Sequence, residues 1–178
     1  MDRSGRIAAI DVGARRIGLA VSDATGTLAR PLTSVVVRPE VPAVASVAAA
    51  LRRLADEEDG LAAIVVGLPR RLDGRPTDQT AGAQAFAAAL GRLLDRPIVF
   101  QDERLSSREA ESRLAHGERD WRKRKARLDA AAAAVILQDY LDGRHERLRL
   151  ARGAGGQRGE AEPPSARERG WGPASDEE

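Results

Sequence analysis

The stretch "IAAIDVGARRIGLAVSD", Ile7–Asp23, decides how the rest of the chain is read. Ile7–Ile10 is an apolar run of strand length, and it ends on a carboxylate, Asp11. A second apolar run, Ile17–Ser22, follows a turn that holds Gly13. Two such runs, so tightly joined, predict an antiparallel pair. Aspartate is depleted in strands, so an acid at the tip of this one needs a reason. It is either a turn former before Gly13 or a functional group.

Further along, "TLARPLTSVVVR" predicts a third strand around Ser34–Val37. Val44, Val47, Ala48, Leu51 and Leu54 recur at helical spacing. Leu61–Gly67 is a continuous apolar run closed by Gly, as expected of a strand covered on both faces. "TDQTAGAQAFAAALGRLL" predicts a helix and "RPIVFQD" another strand. Ser106 and Glu109 have capping-box spacing, which places a helix start there. A last helix is expected over about Leu128 to Leu141. This order predicts an α/β fold, a mixed five-stranded sheet, antiparallel early and parallel later, flanked by helices. Residues 1–150 form the expected domain, and 151–178, rich in Gly, Pro and charge, reads as a disordered tail.

Composition narrows the function. With 178 residues and 42% hydrophobic content, one domain with its own core is expected. Aromatics are only 3%, so that core is built from Val, Ile, Leu and Ala. The absence of cysteine excludes disulfide and thiolate chemistry. No run reaches the roughly 18 apolar residues of a membrane span. "MDRSGR" lacks the apolar core of a signal peptide, and a cytoplasmic protein without membrane partners is expected. Net charge is only +2, so an argument for a nucleic-acid partner rests on local clustering.

Three acids fall where strands end or a helix begins, the edge at which α/β sheets gather reactive groups. Asp11 closes the first strand, Glu103 the last, within "FQDERLSS", and Asp129 opens the final helix. Asp129 shares a helical face with Ala132, Ala133, Ile136 and Tyr140, the face that such a helix buries. A carboxylate on a buried face is costly without a cationic partner. Without Cys and with only His116 and His145, convergence of the acids suits an all-oxygen Mg²⁺ or Mn²⁺ site. Hard cations so held support phosphodiester hydrolysis. Plainer explanations exist: a helix N-cap for Asp129 and a surface ion pair for Glu103. Asp102 is a further acid near the expected site.

The cationic residues cluster as well. Arg119, Arg122, Lys123, Arg124 and Lys125 crowd before Asp129, with Trp121 among them, in a pattern that neutralises phosphates while an aromatic stacks on a base. A solvated linker has the same composition. Arg15 and Arg16 follow Asp11, and Arg70 and Arg71 lie in the loop "GLPRRLDGRPTDQT".

"AIDVGARRIGLAVSD", "IVVGLPRRLDGRPTDQT", "QDERLSSREAE" and "KARLDAAAAAVILQDYLD" together resemble the YqgF family of pre-16S rRNA nucleases and Holliday junction resolvase-like proteins. The resemblance spans about Arg6 to Asp142 and implies an RNase H-like fold. It also implies metal-dependent cleavage of phosphodiesters, with Asp11, Glu103 and Asp129 at the acidic positions. The implied substrate is the 5′ end of pre-16S rRNA, on the small-subunit precursor, in ribosome biogenesis. Related resolvases carry a fourth acid one turn before the last, where this chain has Lys125 and Ala126. Other readings are a resolvase acting on branched DNA, which needs a homodimer rather than a monomer, and a non-catalytic ribosome-associated binding protein. An actin-like sugar kinase also shares the first turn, but requires a second domain for which the chain has no room.

Overall fold

A computed structural model describes residues 5–71, 73–102 and 121–155. Five strands alternate with helices: β1 (Arg6–Val12), β2 (Arg16–Ser22), β3 (Ala29–Val36), α1 (Ala43–Asp56), β4 (Leu61–Leu68), α2 (Asp78–Gly91), β5 (Ile98–Asp102) and α3 (Trp121–Gly155). The sheet order is β3-β2-β1-β4-β5. β1 pairs with β2 and β2 with β3 antiparallel, whereas β4 lies parallel to both β1 and β5. This is the mixed five-stranded sheet, antiparallel early and parallel later, expected from the sequence.

Alternation along the strands sorts the core into two layers. Ala8, Ile10, Ile17, Leu19, Ile64 and Val66 point to one face and pack with Val47, Leu51 and Leu54 of α1 and Ala83, Ala87 and Leu90 of α2. Ile7, Ala9, Ala20 and Val65 point to the other, under Ala133, Ile136, Leu137 and Leu141 of α3. Two steps beyond Ala9 on the same face is Asp11, so the strand's period of two aims the carboxylate at α3.

Several boundaries differ from the sequence reading. β3 begins at Ala29 rather than Ser34, because β2 pairs along its whole length, down to Ser22 opposite Ala29. Pro31 is accommodated on an edge strand, beside a register shift at Leu19/Ala20. α3 starts at Trp121 and runs to Gly155, beyond both ends of the expected Leu128–Leu141. The basic segment 121–127 is therefore helix rather than linker, and helix continues past the expected tail boundary at residue 151. Asp129 lies eight residues beyond Trp121, which removes the N-cap explanation. The helix start at Ser106 lies outside the described residues. Contacts divide the chain into Met1–His145 and Glu146–Glu178. Among the described residues no helix is long and apolar enough to cross a membrane.

Candidate active site

Asp11 sits opposite Gly18 of β2, and Gly18 sits opposite Ser34 of β3. Directly paired residues project to the same face, so these three positions form a row beneath α3. Gly18 is what lets α3 descend onto that row. A Cβ built on it would lie 2.0 Å from the Asp129 carbonyl oxygen and 2.5 Å from its carbonyl carbon. No side chain fits there, so the backbone of α3 rests on the sheet at Asp129, one strand away from Asp11.

Two further features fix the helix and the turn. Gln138 accepts from the Ala29 amide at 2.9 Å and donates to the Thr27 carbonyl at 3.1 Å, tying α3 to the start of β3. In the β1–β2 turn a Cβ at Gly13 would lie 2.5 Å from the Arg16 carbonyl oxygen, so this tight turn also requires glycine. The Val37 amide donates to the Arg15 carbonyl at 3.0 Å, holding the turn against the end of β3.

The electrostatics follow from this placement. Burial pushes the Asp11 carboxyl up to about 6 from 3.8, and the nearby charge of Asp129 pushes it in the same direction. Arg16 Nε lies 3.9 Å from Asp129 Oδ2, with side-chain exposures of 19% and 26%. At that separation the pair is loose, and one guanidinium does not neutralise two carboxylates. Two half-buried acids that repel one another, with only oxygen donors, fit a hard divalent cation. Among the described residues no group of three or more His, Cys, Asp or Glu converges. Glu103, the third acid expected from the sequence, lies outside the described residues.

The expected nucleic-acid contacts are distributed as follows. Arg16 reaches Asp129, while Arg15 is exposed on the same turn. Arg70 and Arg71 are exposed in a small hairpin after β4, closed by an Arg70–Pro76 bridge and by the Arg71 amide on the Arg75 carbonyl at 2.9 Å. Because β4 runs parallel to β1, with Ile10 opposite Val66, this hairpin leaves the sheet at the edge where Asp11 stands. A reciprocal Thr77–Thr80 capping box starts α2 behind it, and the Thr80 hydroxyl also bonds the Pro69 carbonyl. Arg119 lies outside the described residues. Trp121, Arg122, Lys123, Arg124 and Lys125 form the first turns of α3, and their side chains lie outside the description. Gly18, Gln138 and Ser34 escaped the sequence reading. The signal for Gly18 was a glycine inside an apolar strand, which often marks close backbone approach.

Two acids brought together at the end of the central strand of a mixed sheet suit metal-assisted hydrolysis of phosphodiesters, and the comparisons with known proteins place the chain among enzymes of that class. A family model described as "RuvX: Holliday junction resolvase" matches residues 5–143, and the chain belongs to that family. It is 46% identical over 140 residues to a protein of Anaeromyxobacter sp. (strain Fw109-5) named "Putative pre-16S rRNA nuclease", covering 79% of this chain and 98% of that one. A protein of the same name from Paracoccus denitrificans (strain Pd 1222) is 39% identical over 142 residues, covering 80% and 87%. Among solved structures, Thermus thermophilus RuvC is 17% identical with a TM-score of 0.47, covering 79% of this chain and 96% of the other.

Proposed function

We propose that this protein is a Mg²⁺- or Mn²⁺-dependent nuclease that trims the 5′ end of pre-16S rRNA, in the cytoplasm, on a precursor of the small ribosomal subunit. The observation that carries the chemistry is the convergence of Asp11 and Asp129 through the Gly18 contact. The relatives' names carry the choice of RNA. Residues 1–150 are the catalytic domain in this reading, and 151–178 an appended tail.

Asp11 and Asp129 would hold the metal, with Glu103 completing the set. When bound, a hard cation supplies charge neutralisation at the phosphoryl oxygens and the field that acidifies an attacking water. The chain's own residues do the rest. Asp11 is held half-buried beside Asp129, its carboxyl raised to about 6 by burial and by that neighbouring charge. Arg16 stands beside Asp129 and is placed to take a phosphate oxygen once a cation occupies the carboxylates. Arg15, Arg70 and Arg71 line the same sheet edge and would hold the flanking phosphates, and Arg119, Trp121, Arg122, Lys123, Arg124 and Lys125 are the further nucleic-acid contacts of this reading.

The test is an end-labelled cleavage assay on a pre-16S 5′-leader RNA, a linear RNA and a four-way DNA junction, each with Mg²⁺, Mn²⁺ or EDTA. The expected result is metal-dependent cutting of the leader by the parent and none by Asp11→Asn. Symmetric cutting of the junction by a dimer would instead support the resolvase activity in the family's description. Binding without cutting of any substrate would support a non-catalytic role.

A further inference from the structure

The Gly18 contact leaves α3 two freedoms. Glycine has no side chain to interlock with the helix, so the contact at Asp129 sets how close α3 lies but not how far it slides or rolls. The layer of Ala20 and Ala133 beyond it is shallow, and the apolar packing of Ile136, Leu137 and Leu141 is non-directional. Bringing Asp129 to Asp11 requires both freedoms to be removed.

Gln138 removes them. Its Oε1 accepts from the Ala29 amide at 2.9 Å, and its Nε2 donates to the Thr27 carbonyl at 3.1 Å and to Asp142 Oδ1 at 2.9 Å. The acceptor and the donors of one carboxamide are thus all engaged, and the chemistry of the three partners admits a single orientation of it. Toward β3 the carboxamide meets a carbonyl and an amide two residues apart, as the backbone of a neighbouring strand would. Such bonds are directional and resist displacements that apolar contacts tolerate.

The spacing along the helix matches the spacing along the sheet. Asp129 rests on Gly18, and Gln138 holds Ala29, which pairs with Ser22. From Asp129 to Gln138 the helix rises about 13.5 Å. From Gly18 to Ser22, β2 advances by about the same length. The two anchors are therefore in register, with Ala20 and Ala133 packed between them. At about 100° per residue, Gln138 also lies half-way round the helix axis from Asp129. A roll that pulls Gln138 away from β3 swings Asp129 on the opposite flank.

We infer that Gln138 is the positioning residue of the cation-binding pair: its bonds to Thr27 and Ala29 hold α3 at the one register and roll that bring Asp129 to Asp11. The inference rests on the reading of Asp11 and Asp129 as that pair. Arg16, 3.9 Å from Asp129, is too loosely paired to do the same.

Mn²⁺ is titrated calorimetrically into the full-length parent, Gln138→Met, Gln138→Glu and Val47→Ala, each well below its thermal midpoint. Met keeps the length of the side chain and bonds to neither Thr27 nor Ala29, whereas Glu keeps the acceptor for the Ala29 amide. Val47→Ala leaves a cavity under α1, on the other face of the sheet, and controls for lost stability alone. Affinity for Mn²⁺ falls about tenfold in Gln138→Met, the lower end of the loss seen when groups that orient metal ligands are removed. It falls by less in Gln138→Glu, which decides the matter if Gln138→Met does not fold. Val47→Ala binds as the parent does. Parent affinity in both Gln138 variants, or an equal loss in Val47→Ala, overturns the role of Gln138 and leaves the cation-binding pair standing. A parent that binds no Mn²⁺ overturns the pair, and the role of Gln138 with it.

Discussion

The two faces of the sheet are built from different residues for different purposes. Toward α1 and α2 the strands present Ile10, Ile17, Leu19, Ile64 and Val66, all buried, and the helices answer with Val47, Leu51 and Leu54. Toward α3 they present Ile7 and Val65 under Ile136, Leu137 and Leu141, but around the site the contact is made by Ala9, Gly18 and Ala20 with Ala130 and Ala133. Branched side chains hold helices at a distance and bury much apolar area, which stabilises the fold. Small ones bury less and let backbone meet backbone, which brings two acids together at a cost in repulsion. The α1–α2 face is given over to packing, whereas the α3 face combines an aliphatic layer with a small-residue contact that brings the acids together.

That division is open to test by substitution on each face. The largest expected loss of stability comes from the aliphatic face: Leu51→Ala should lower unfolding free energy by about 2–5 kcal/mol. Cleavage measured well below the new midpoint should remain near the parent rate. A large fall in kcat at that temperature would show that the two faces are not separable.

Gly18→Ala tests the other face. The added methyl meets the Asp129 backbone and forces α3 outward, with an expected destabilisation of about 1–3 kcal/mol. Here cleavage should fall out of proportion to stability, since a displacement of about 1 Å at a catalytic group costs about a hundredfold. Denaturant unfolding and single-turnover cleavage of the same preparation check both.

The third prediction concerns pH. The Asp11 carboxyl titrates at about 6 in the folded chain, against its ordinary 3.8 once the chain unfolds. The unfolded chain therefore releases this proton first, and stability falls as pH rises from about 4 to 6, then stays lower. In metal-free protein the total change should be on the order of 1–3 kcal/mol. Asp11→Asn should flatten this part of the profile and raise stability at pH 7. A parent whose stability rises between pH 4 and 6, with no difference in Asp11→Asn, would contradict the burial of that carboxylate.

The smallest effect belongs to the β2–β3 loop, away from both helical layers. The Thr25 hydroxyl and the Leu28 and Thr27 amides donate to the Asp23 carboxylate and hold its pKa down at about 2. This contribution is present above the ordinary pKa of 3.8 and is lost as pH falls through 2. Asp23→Ala should lower the thermal midpoint slightly at pH 7 without affecting cleavage. The gap from the parent should close in acid.

Much of this was legible in the sequence because its signals were local. The β1–β2 pair followed from two apolar runs around Gly13, and the two-sided burial of β4 from the unbroken Leu61–Gly67 run. The period of two from Ile7 through Ala9 to Asp11 also aims the acid at a helix, once the sheet's faces are known. What was not legible depended on tertiary contacts. β3 extends back to Ala29 because β2 offers it a partner, not because "ARPL" favours a strand. The early start of α3 was hidden by the charge of 121–127, which reads as a solvated linker when no neighbour is in view. Gly18 and Ser34 acquire meaning only through register, which places them in line with Asp11.

The central claim is that Asp11 and Asp129 act together as one cation-binding centre. Calorimetric titration of Mn²⁺ into the parent, Asp11→Asn and Asp129→Asn tests it without reference to any substrate. The account predicts that each variant, still folded, loses affinity at least about tenfold, or about 1.4 kcal/mol. Mn²⁺ binding equal to the parent's in both variants would contradict it.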